Sequence, residues 1–348
     1  MNIQEGIKII MKGKDLSRDD ITSVMNQILT GAATEAQIGA FLVSLSIKGE
    51  SIEEVIGSAE VMRRLSSKVP VDKENLVDTC GTGGVGSGIF NVSTAAAFVA
   101  SACGVKVAKH GNRSTTRKSG SADLLEEAGV VLDLNSNNVK KCIQELGIGF
   151  MFAPSHHSAM KYAVKPRKEL GIKTIFNLLG PLTNPAGALN QVLGVYDDKW
   201  LRPIAEVLKK LGSRNVLVLH SEDGLDEISI AASTKVAELK NGDIREYSIS
   251  PKDFGLEILP LKDLKVNSPK ESLHLVKQAL KGENEIATHM VAMTSGAALY
   301  VGGLAKGISE GFEISLDSIR KGKAIKKLEQ LVNLSQSLSK YENEGNLS

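Results

Sequence analysis

The chain has 348 residues, 42% hydrophobic and 24% charged, with a formal net charge of +2. That is the composition of an ordinary globular protein, long enough for one large domain plus a smaller one. The near-neutral charge and an aromatic content of 4% exclude a dedicated nucleic-acid binder, which would show a basic excess and a stacking surface.

The N-terminal stretch "MNIQEGIKIIMKGK" has too short an apolar run, broken by Lys8, for a signal peptide. The longest mostly apolar run, "TAAAFVASACGV", falls well short of the ~20 residues of a membrane span. Cys80, Cys103 and Cys142 are scattered, with no metal or redox spacing, as suits a reducing cytosol. A cytoplasmic protein with no membrane and no nucleic-acid partner is expected.

Residues 1–68 read as helices alone. Ser17 caps a stripe of Ile21, Val24, Met25, Ile28 and Leu29 closed by Gly31. Thr34 with Gln37 forms a capping-box signature before Ile38, Phe41, Leu42 and Leu45. Ser51 with Glu54 repeats it before Val55, Ile56, Ala59 and Met62. None of these helices buries its stripe alone, so a small bundle is expected.

After Pro70 the rhythm becomes α/β. The runs "NLVDTC", "VKVAKH", "VVLDL", "GFMFA", "QVLGVY" and "NVLVLH" read as strands. Helices are expected from Ser93, Ser121 and Ser136, giving βαβ units and a mostly parallel sheet. "TKVAELKNGDIREYSIS" reads as a hairpin about Asn241-Gly242, and helices return from about Ser268. One long connection, "HHSAMKYAVKPRKELGIKTIFNLLGPLTNPAG", interrupts the pattern and should serve a site or reach back to another domain. The expected division is a small helical domain at 1–68, joined by part of 160–188, and a large α/β domain at 69–348.

In open α/β sheets, ligands bind beyond the carboxyl ends of the strands. The first strand runs into "DTCGTGGVGSGIFNVST", with glycine at 81, 83, 84, 86 and 88. Gly81, Gly83 and Gly86 fit the G-x-G-x-x-G dinucleotide pattern literally. A dinucleotide site, however, wants an acidic residue about 20 residues on, at the end of the second strand. That strand ends in Lys109, no carboxylate follows until Asp123, and the next helix starts too late. The loop therefore reads as a holder of some other anion, through backbone N–H groups and the helix start at Asn91, Ser93 and Thr94. Lys109 supplies a countercharge on the same edge. After "VLVLH" comes "GLDE", with adjacent Asp226 and Glu227. Carboxylates beside phosphates make sense when Mg²⁺ bridges them, so the residues point to a Mg²⁺-dependent enzyme acting on a phosphorylated, diphosphate-bearing substrate. The bland readings are an exposed acidic turn for the pair and a solvated strand-end lysine for Lys109. His156-His157 reads as capping or packing, and Cys80 as a small buried residue.

"GTGGVGSGIFNVST", "KHGNRS", "SGSADLLE", "FNLLGPLTNP" and "GLDE", in this order and spacing, closely resemble the anthranilate phosphoribosyltransferase family. The resemblance implies a small all-helical domain plus a large α/β domain with a central mostly parallel sheet, as in the pyrimidine nucleoside phosphorylases, and a homodimer through the small domains. It implies transfer of phosphoribose from phosphoribosyl pyrophosphate (PRPP) to the amine of anthranilate, in tryptophan biosynthesis, with two Mg²⁺ ions per subunit. Carried over, Gly81, Gly83, Gly84, Asn91, Ser93, Thr94, Lys109 and Ser121 would hold PRPP. Ser93, Asp226 and Glu227 would hold metal. Gly81, His110, Asn112, Arg167, Gly180 and Pro181 would line the anthranilate path. No residue is expected as a covalent or acid–base catalyst, because the work is positioning and charge neutralisation.

Two departures from the family pattern stand in the glycine loop. Val85 replaces an Asp and Ile89 a Thr, and both are expected to remove polar groups beside the pyrophosphate and metal. Near Arg167 the order "AVKPRKELG" shifts a proline and with it the expected helix start. The alternatives are a pyrimidine nucleoside phosphorylase, and a catalytically impaired paralogue serving as a binding protein.

Overall fold

The structure is a computed structural model describing residues 1–83, 88–114 and 118–345. It opens with helices α1 (Ile3–Ile10), α2 (Arg18–Thr30), α3 (Glu35–Lys48) and α4 (Ile52–Leu65). Their ends are where the local chemistry puts them. Ser17 accepts the Asp20 N–H, and Thr34 and Ser51 form reciprocal capping boxes with Gln37 and Glu54. Gly31 ends α2 at φ 81°, a left-handed conformation that favours glycine.

The α/β part follows in the order β1 (Val77–Gly81), α5 (Val92–Ala102), β2 (Val107–Gly111), α6 (Ser121–Glu127), α7 (Ser136–Leu146) and β3 (Ile148–Phe152). The long connection contains α8 (Ala153–His156), α9 (Lys161–Leu170) and α10 (Ile175–Leu182). Then come β4 (Asn190–Gly194), α11 (Leu201–Lys210), β5 (Asn215–Ser221), β6 (Thr234–Lys240) and β7 (Asp243–Ile249). Helices α12 (Pro269–Lys281), α13 (Glu285–Val301), α14 (Ile308–Arg320) and α15 (Lys323–Gly345) complete the described chain.

The described strands form one sheet in the order β3-β2-β1-β4-β5-β6-β7. Strands β1 to β5 pair in parallel, and β6 and β7 join antiparallel. The hairpin turns at Asn241 and Gly242, with φ 53° and 80°, as an Asn-Gly pair of positive φ requires. Strand order reverses at β1, whose neighbours are β2 on one side and β4 on the other. A crevice beyond its carboxyl end is where such sheets place a ligand.

Side chains alternate across the sheet. Val192, Leu217, Leu219 and Val236 join a core with α5 and the C-terminal helices, while Leu193, Val216, Val218 and Ala237 join a second core. The second core is continuous with the stripes of α2, α3 and α4, where Ile28, Phe41 and Leu45 are fully buried. Burial of each such side chain contributes about 1.5–3 kcal/mol. Helix α9 packs on α2 and α3, and α10 on α4, so the long connection does reach back to the helical layer. Arg63 ties the layers by donating to Leu182 O (2.7 Å) and Leu211 O (3.1 Å).

One expected strand is absent from the described residues: "VVLDL" is a loop between α6 and α7. Its alternation is real, since Val130, Leu132 and Leu134 are buried in the first core. Both edges of β2 are already taken, by β1 and β3, and the Val131 N–H instead donates to Ser335 Oγ of α15 (3.1 Å). Period-two burial whose backbone turns to a helix side chain instead of to a strand makes an extended loop.

Helix α9 does not begin at Pro166 but runs through it from Lys161. No helix of the described residues is long and apolar enough to cross a membrane.

Candidate active site

A cavity of about 220 Å³ opens beyond the carboxyl ends of β1 and β2. It brings together Gly81, Gly83, Asn91, Ser93, Thr94, Lys109, Ser121, His110 and Asn112, with Asp226 and Glu227 from the loop after β5. Among the described residues Arg167, Gly180 and Pro181 do not line it. Gly84 and Val85 lie outside the described residues.

The acid pair is seated by close backbone approach. A Cβ on Gly194 would stand 1.8 Å from Asp226 O, and one on Gly81 would stand 2.8 Å from Asp226 Oδ2. Only glycine fits at 194, against backbone, while a Cβ at 81 would press on the Asp226 side chain. Glu227 Oε1 accepts the Ser93 N–H (3.2 Å), so the carboxylate lies against the first turn of α5, where the helix dipole favours negative charge. The Thr79 hydroxyl donates to Ser93 O (3.0 Å), fixing the same turn from β1.

Asn91 occupies the N-cap position of α5 yet makes no side-chain hydrogen bond to the helix. Its oxygen Oδ1 accepts from Ser119 Oγ and Ser272 Oγ, both at 2.7 Å, and Nδ2 donates to Ser119 O (3.2 Å). Thr94, 1% exposed in the first turn, has its Oγ1 buried and without a partner among the described residues. A buried hydroxyl in a polar cavity is costly unless a ligand satisfies it.

Lys109 is buried and donates from Nζ to Thr79 O. Burial pushes its ammonium down, against the attraction of Asp78, Cys80 and Glu227. Asp78 is fully buried beneath the site, and burial raises its carboxyl to about 6 although Lys109 attracts the charged form. It accepts the His110 N–H (3.2 Å) and Asn184 Nδ2 (2.7 Å), and Asn184 also donates to Ala108 O (2.8 Å). The asparagine of the "GPLTNP" motif therefore clamps β1 to β2 behind the cavity.

His110 Nδ1–H donates to Gly180 O (3.2 Å), which leaves Nε2 as an acceptor with no partner among the described residues. Its ring stands 5.1 Å from that of His157, and burial holds both well below the ordinary histidine value. His156 donates from Nδ1 to Ser67 O (3.0 Å), a packing role as expected. Cys80 is buried, with its thiol pushed up by burial, and is no nucleophile. Pro181 O accepts Gln191 Nε2 (2.8 Å), next to the Gly180 carbonyl that takes the His110 Nδ1–H. The Arg167 guanidinium lies over the Phe176 ring, 5.2 Å from its centroid.

Ile89 differs from expectation. It is 4% exposed within the first core and bridged to Lys265, and it does not line the cavity. An isoleucine there fills the core rather than removing a polar group from the site. Sequence reasoning also missed Ser119, Lys173 and Asn177, which line the cavity. Asn177 and Ser119 were legible inside the quoted motifs, whereas Lys173 carries no local signal.

Among the described residues no three His, Cys, Asp or Glu side chains could hold a metal on their own. Two adjacent carboxylates beside a serine hydroxyl are instead a hard-oxygen set suited to Mg²⁺ that also takes phosphate oxygens. Together with the unsatisfied Thr94 hydroxyl, the donors present fit a metal-bound phosphate ligand.

Comparison with known proteins identifies the family. The profile of the glycosyl transferase family helical bundle domain matches residues 4–66, and that of the family's a/b domain matches residues 73–325. An anthranilate phosphoribosyltransferase of Marinomonas sp. (strain MWYL1) is 56% identical over 338 residues, covering 97% of this chain and 98% of the relative. The crystal structure of anthranilate phosphoribosyltransferase from Thermus thermophilus superposes with a TM-score of 0.89 at 40% identity, covering 95% of this chain and 99% of that one. The Saccharomyces cerevisiae enzyme, solved in complex with PRPP and Mg, gives a TM-score of 0.87 at 28% identity, covering 96% and 98%. Near-complete coverage at these identities makes this chain a member of the anthranilate phosphoribosyltransferase family.

Proposed function

We propose that this chain transfers phosphoribose from PRPP to the amine of anthranilate, releasing pyrophosphate, as a Mg²⁺-dependent cytoplasmic enzyme of tryptophan biosynthesis. The observation that carries the reading is the meeting of the α5 N-terminus, Lys109 and the Asp226-Glu227 pair in one cavity at the strand-order reversal.

The glycine loop at Gly81, Gly83 and Gly84, with Asn91, Ser93, Thr94, Lys109 and Ser121, holds PRPP through backbone N–H groups, hydroxyls and one ammonium. Ser93, Asp226 and Glu227 would hold two Mg²⁺ ions, which would supply charge neutralisation to the departing pyrophosphate oxygens. The anthranilate nitrogen forms a bond to the anomeric carbon as the bond from that carbon to the pyrophosphate oxygen breaks, and the nitrogen then releases a proton to water. An aromatic amine needs no strong base, and His110, buried and neutral, offers Nε2 as an acceptor for an amine N–H. Asn112, Arg167, Gly81, Gly180 and Pro181 form the anthranilate path, with Arg167 pairing the carboxylate. The chain's main contribution is alignment, which can supply an effective molarity of about 10⁵ M or more.

The molecule divides into a small helical domain at 1–68, joined by part of 160–188, and a large domain at 69–348. It pairs as a homodimer through the small domain. Met11 in the turn after α1 and Ile47 on α3, apolar side chains of this domain at 73% and 82% exposure, support that pairing.

The test of the reaction is loss of anthranilate fluorescence in the presence of PRPP across a Mg²⁺ series. Loss that needs all three components is expected. A folded protein that leaves anthranilate untouched at every Mg²⁺ level would overturn the reading. Light scattering of the purified chain at twice the monomer mass is the matching check on the dimer.

A further inference from the structure

Asparagine is among the best helix N-caps because its side-chain oxygen accepts the N–H of the second or third helical residue. At α5 these are Ser93 and Thr94, and Asn91 caps neither. Its oxygen is drawn sideways instead, into hydrogen bonds from Ser272 of α12 and from Ser119 of the loop before α6. Ser272 is fully buried, does not line the cavity, and grips Asn91 twice: its hydroxyl donates to Oδ1 (2.7 Å) and accepts the Asn91 N–H (3.1 Å). The same C-terminal stretch holds the end of the glycine loop by backbone. Phe90 N–H donates to Leu264 O (3.1 Å) and Val266 N–H to Gly88 O (2.7 Å).

We infer that Ser272 is a positioning residue for the PRPP site, which, with Ser119, holds the Asn91 side chain off the α5 N-terminus and so keeps the Thr94 N–H open to phosphate, the Ser93 N–H already serving Glu227. A serine hydroxyl has one proton and two lone pairs, and Asn91 uses the proton and one lone pair. Removing it leaves the Asn91 N–H without its partner and leaves the carboxamide held by Ser119 alone, so that it can turn back onto the helix. There it would occupy the Thr94 N–H that an anion needs. Thr94, buried with an unsatisfied hydroxyl in that first turn, is the second sign that the turn is built for a ligand rather than for a cap. The inference rests on the proposed reaction only in taking PRPP as the phosphate ligand.

The experiment is calorimetric PRPP binding in Mg²⁺, alongside steady-state kinetics, on the full chain and on Ser272→Ala. A cap is worth about 0.5–2 kcal/mol, so its competition should weaken PRPP binding by roughly 2- to 30-fold. KM for PRPP should rise in proportion, with kcat and KM for anthranilate within about twofold. In an Asn91→Ala background, where no carboxamide can fall back, Ser272→Ala should have no further effect on PRPP affinity. If Ser272→Ala does not fold, Ser119→Ala carries the same expectation for PRPP affinity. Wild-type affinity in these variants, or an equal loss with and without Asn91, overturns the inference. Failure of wild-type protein to consume anthranilate with PRPP would instead overturn the proposed reaction, so the two failures are distinct.

Discussion

Glu227 accepts the backbone N–H of Ser93 at 3.2 Å, so the acidic loop after β5 rests on the helix that follows β1. Glutamine at 227 keeps an oxygen for that N–H and loses only the charge. Glu227→Gln should therefore fold normally and need roughly 10- to 100-fold more Mg²⁺ for half-maximal rate. A Mg²⁺ titration of initial rates checks this, and an unchanged midpoint would remove Glu227 from the metal set.

Gly81→Ala places a Cβ 2.8 Å from Asp226 Oδ2, and the nearest atom in its way belongs to a side chain, not to backbone. Asp226 should shift while the fold holds. Displacement of a site group by about 1 Å costs on the order of 100-fold, so kcat/KM for PRPP should fall towards that figure with a thermal midpoint near wild type. Full activity in the alanine variant would mean that the position of Asp226 does not set the rate.

Arg167 stacks on Phe176 and stands outside the described cavity lining. Lysine keeps the charge and loses the planar fork. Arg167→Lys should raise KM for anthranilate about tenfold, the cost of one charge-assisted hydrogen bond, and leave KM for PRPP unchanged. Equal changes in both constants would show that the arginine only supports α9 and α10.

His110, His156 and His157 are buried, and burial lowers the value of each, that of His157 from 6.5 to about 4, with His156 and Lys68 also opposing its charge. Between those two pH values the unfolded chain binds a proton that the folded chain refuses. The neutral imidazole's stabilising effect is thus fully present above pH 6.5 and is lost as pH falls towards 4. One such group contributes a slope of at most about 1.4 kcal/mol per pH unit. Urea unfolding across this window should show stability falling with acid, and His157→Gln should flatten the slope. A parallel curve for the variant would show that His157 does not titrate there.

Thr34 and Gln37 cap α3 reciprocally on an exposed surface, at 3.3 and 2.9 Å. Thr34→Ala should cost about 1 kcal/mol in chemical denaturation and leave catalysis intact. A loss of activity at constant stability would link that helix end to the site.

The features written locally in the chain were legible. Ser17, Thr34 and Ser51 each cap within three residues, so their helices are fixed by neighbours in sequence. The strands through Asp78, Lys109 and Val218 carry apolar runs bounded by turns, and rules of parallel sheets put their carboxyl ends together. That is why Gly81, Ser93, Lys109, Asp226 and Glu227 group at one edge of the sheet from the order of strands and loops alone. The tertiary structure decided what alternation and motif cannot. Val130, Leu132 and Leu134 alternate like a strand, but the Val131 N–H between them is taken by Ser335 of α15. Ile89 reads as a site residue from its place in the glycine loop, and its bridge to Lys265 turns it into the core. Ser272 stands 181 residues from Asn91 in a helix with no motif of its own. Local periodicity reports which face of an element is buried, whereas a hydrogen bond between distant segments exists only once the packing of the sheet and its helices has set their distance.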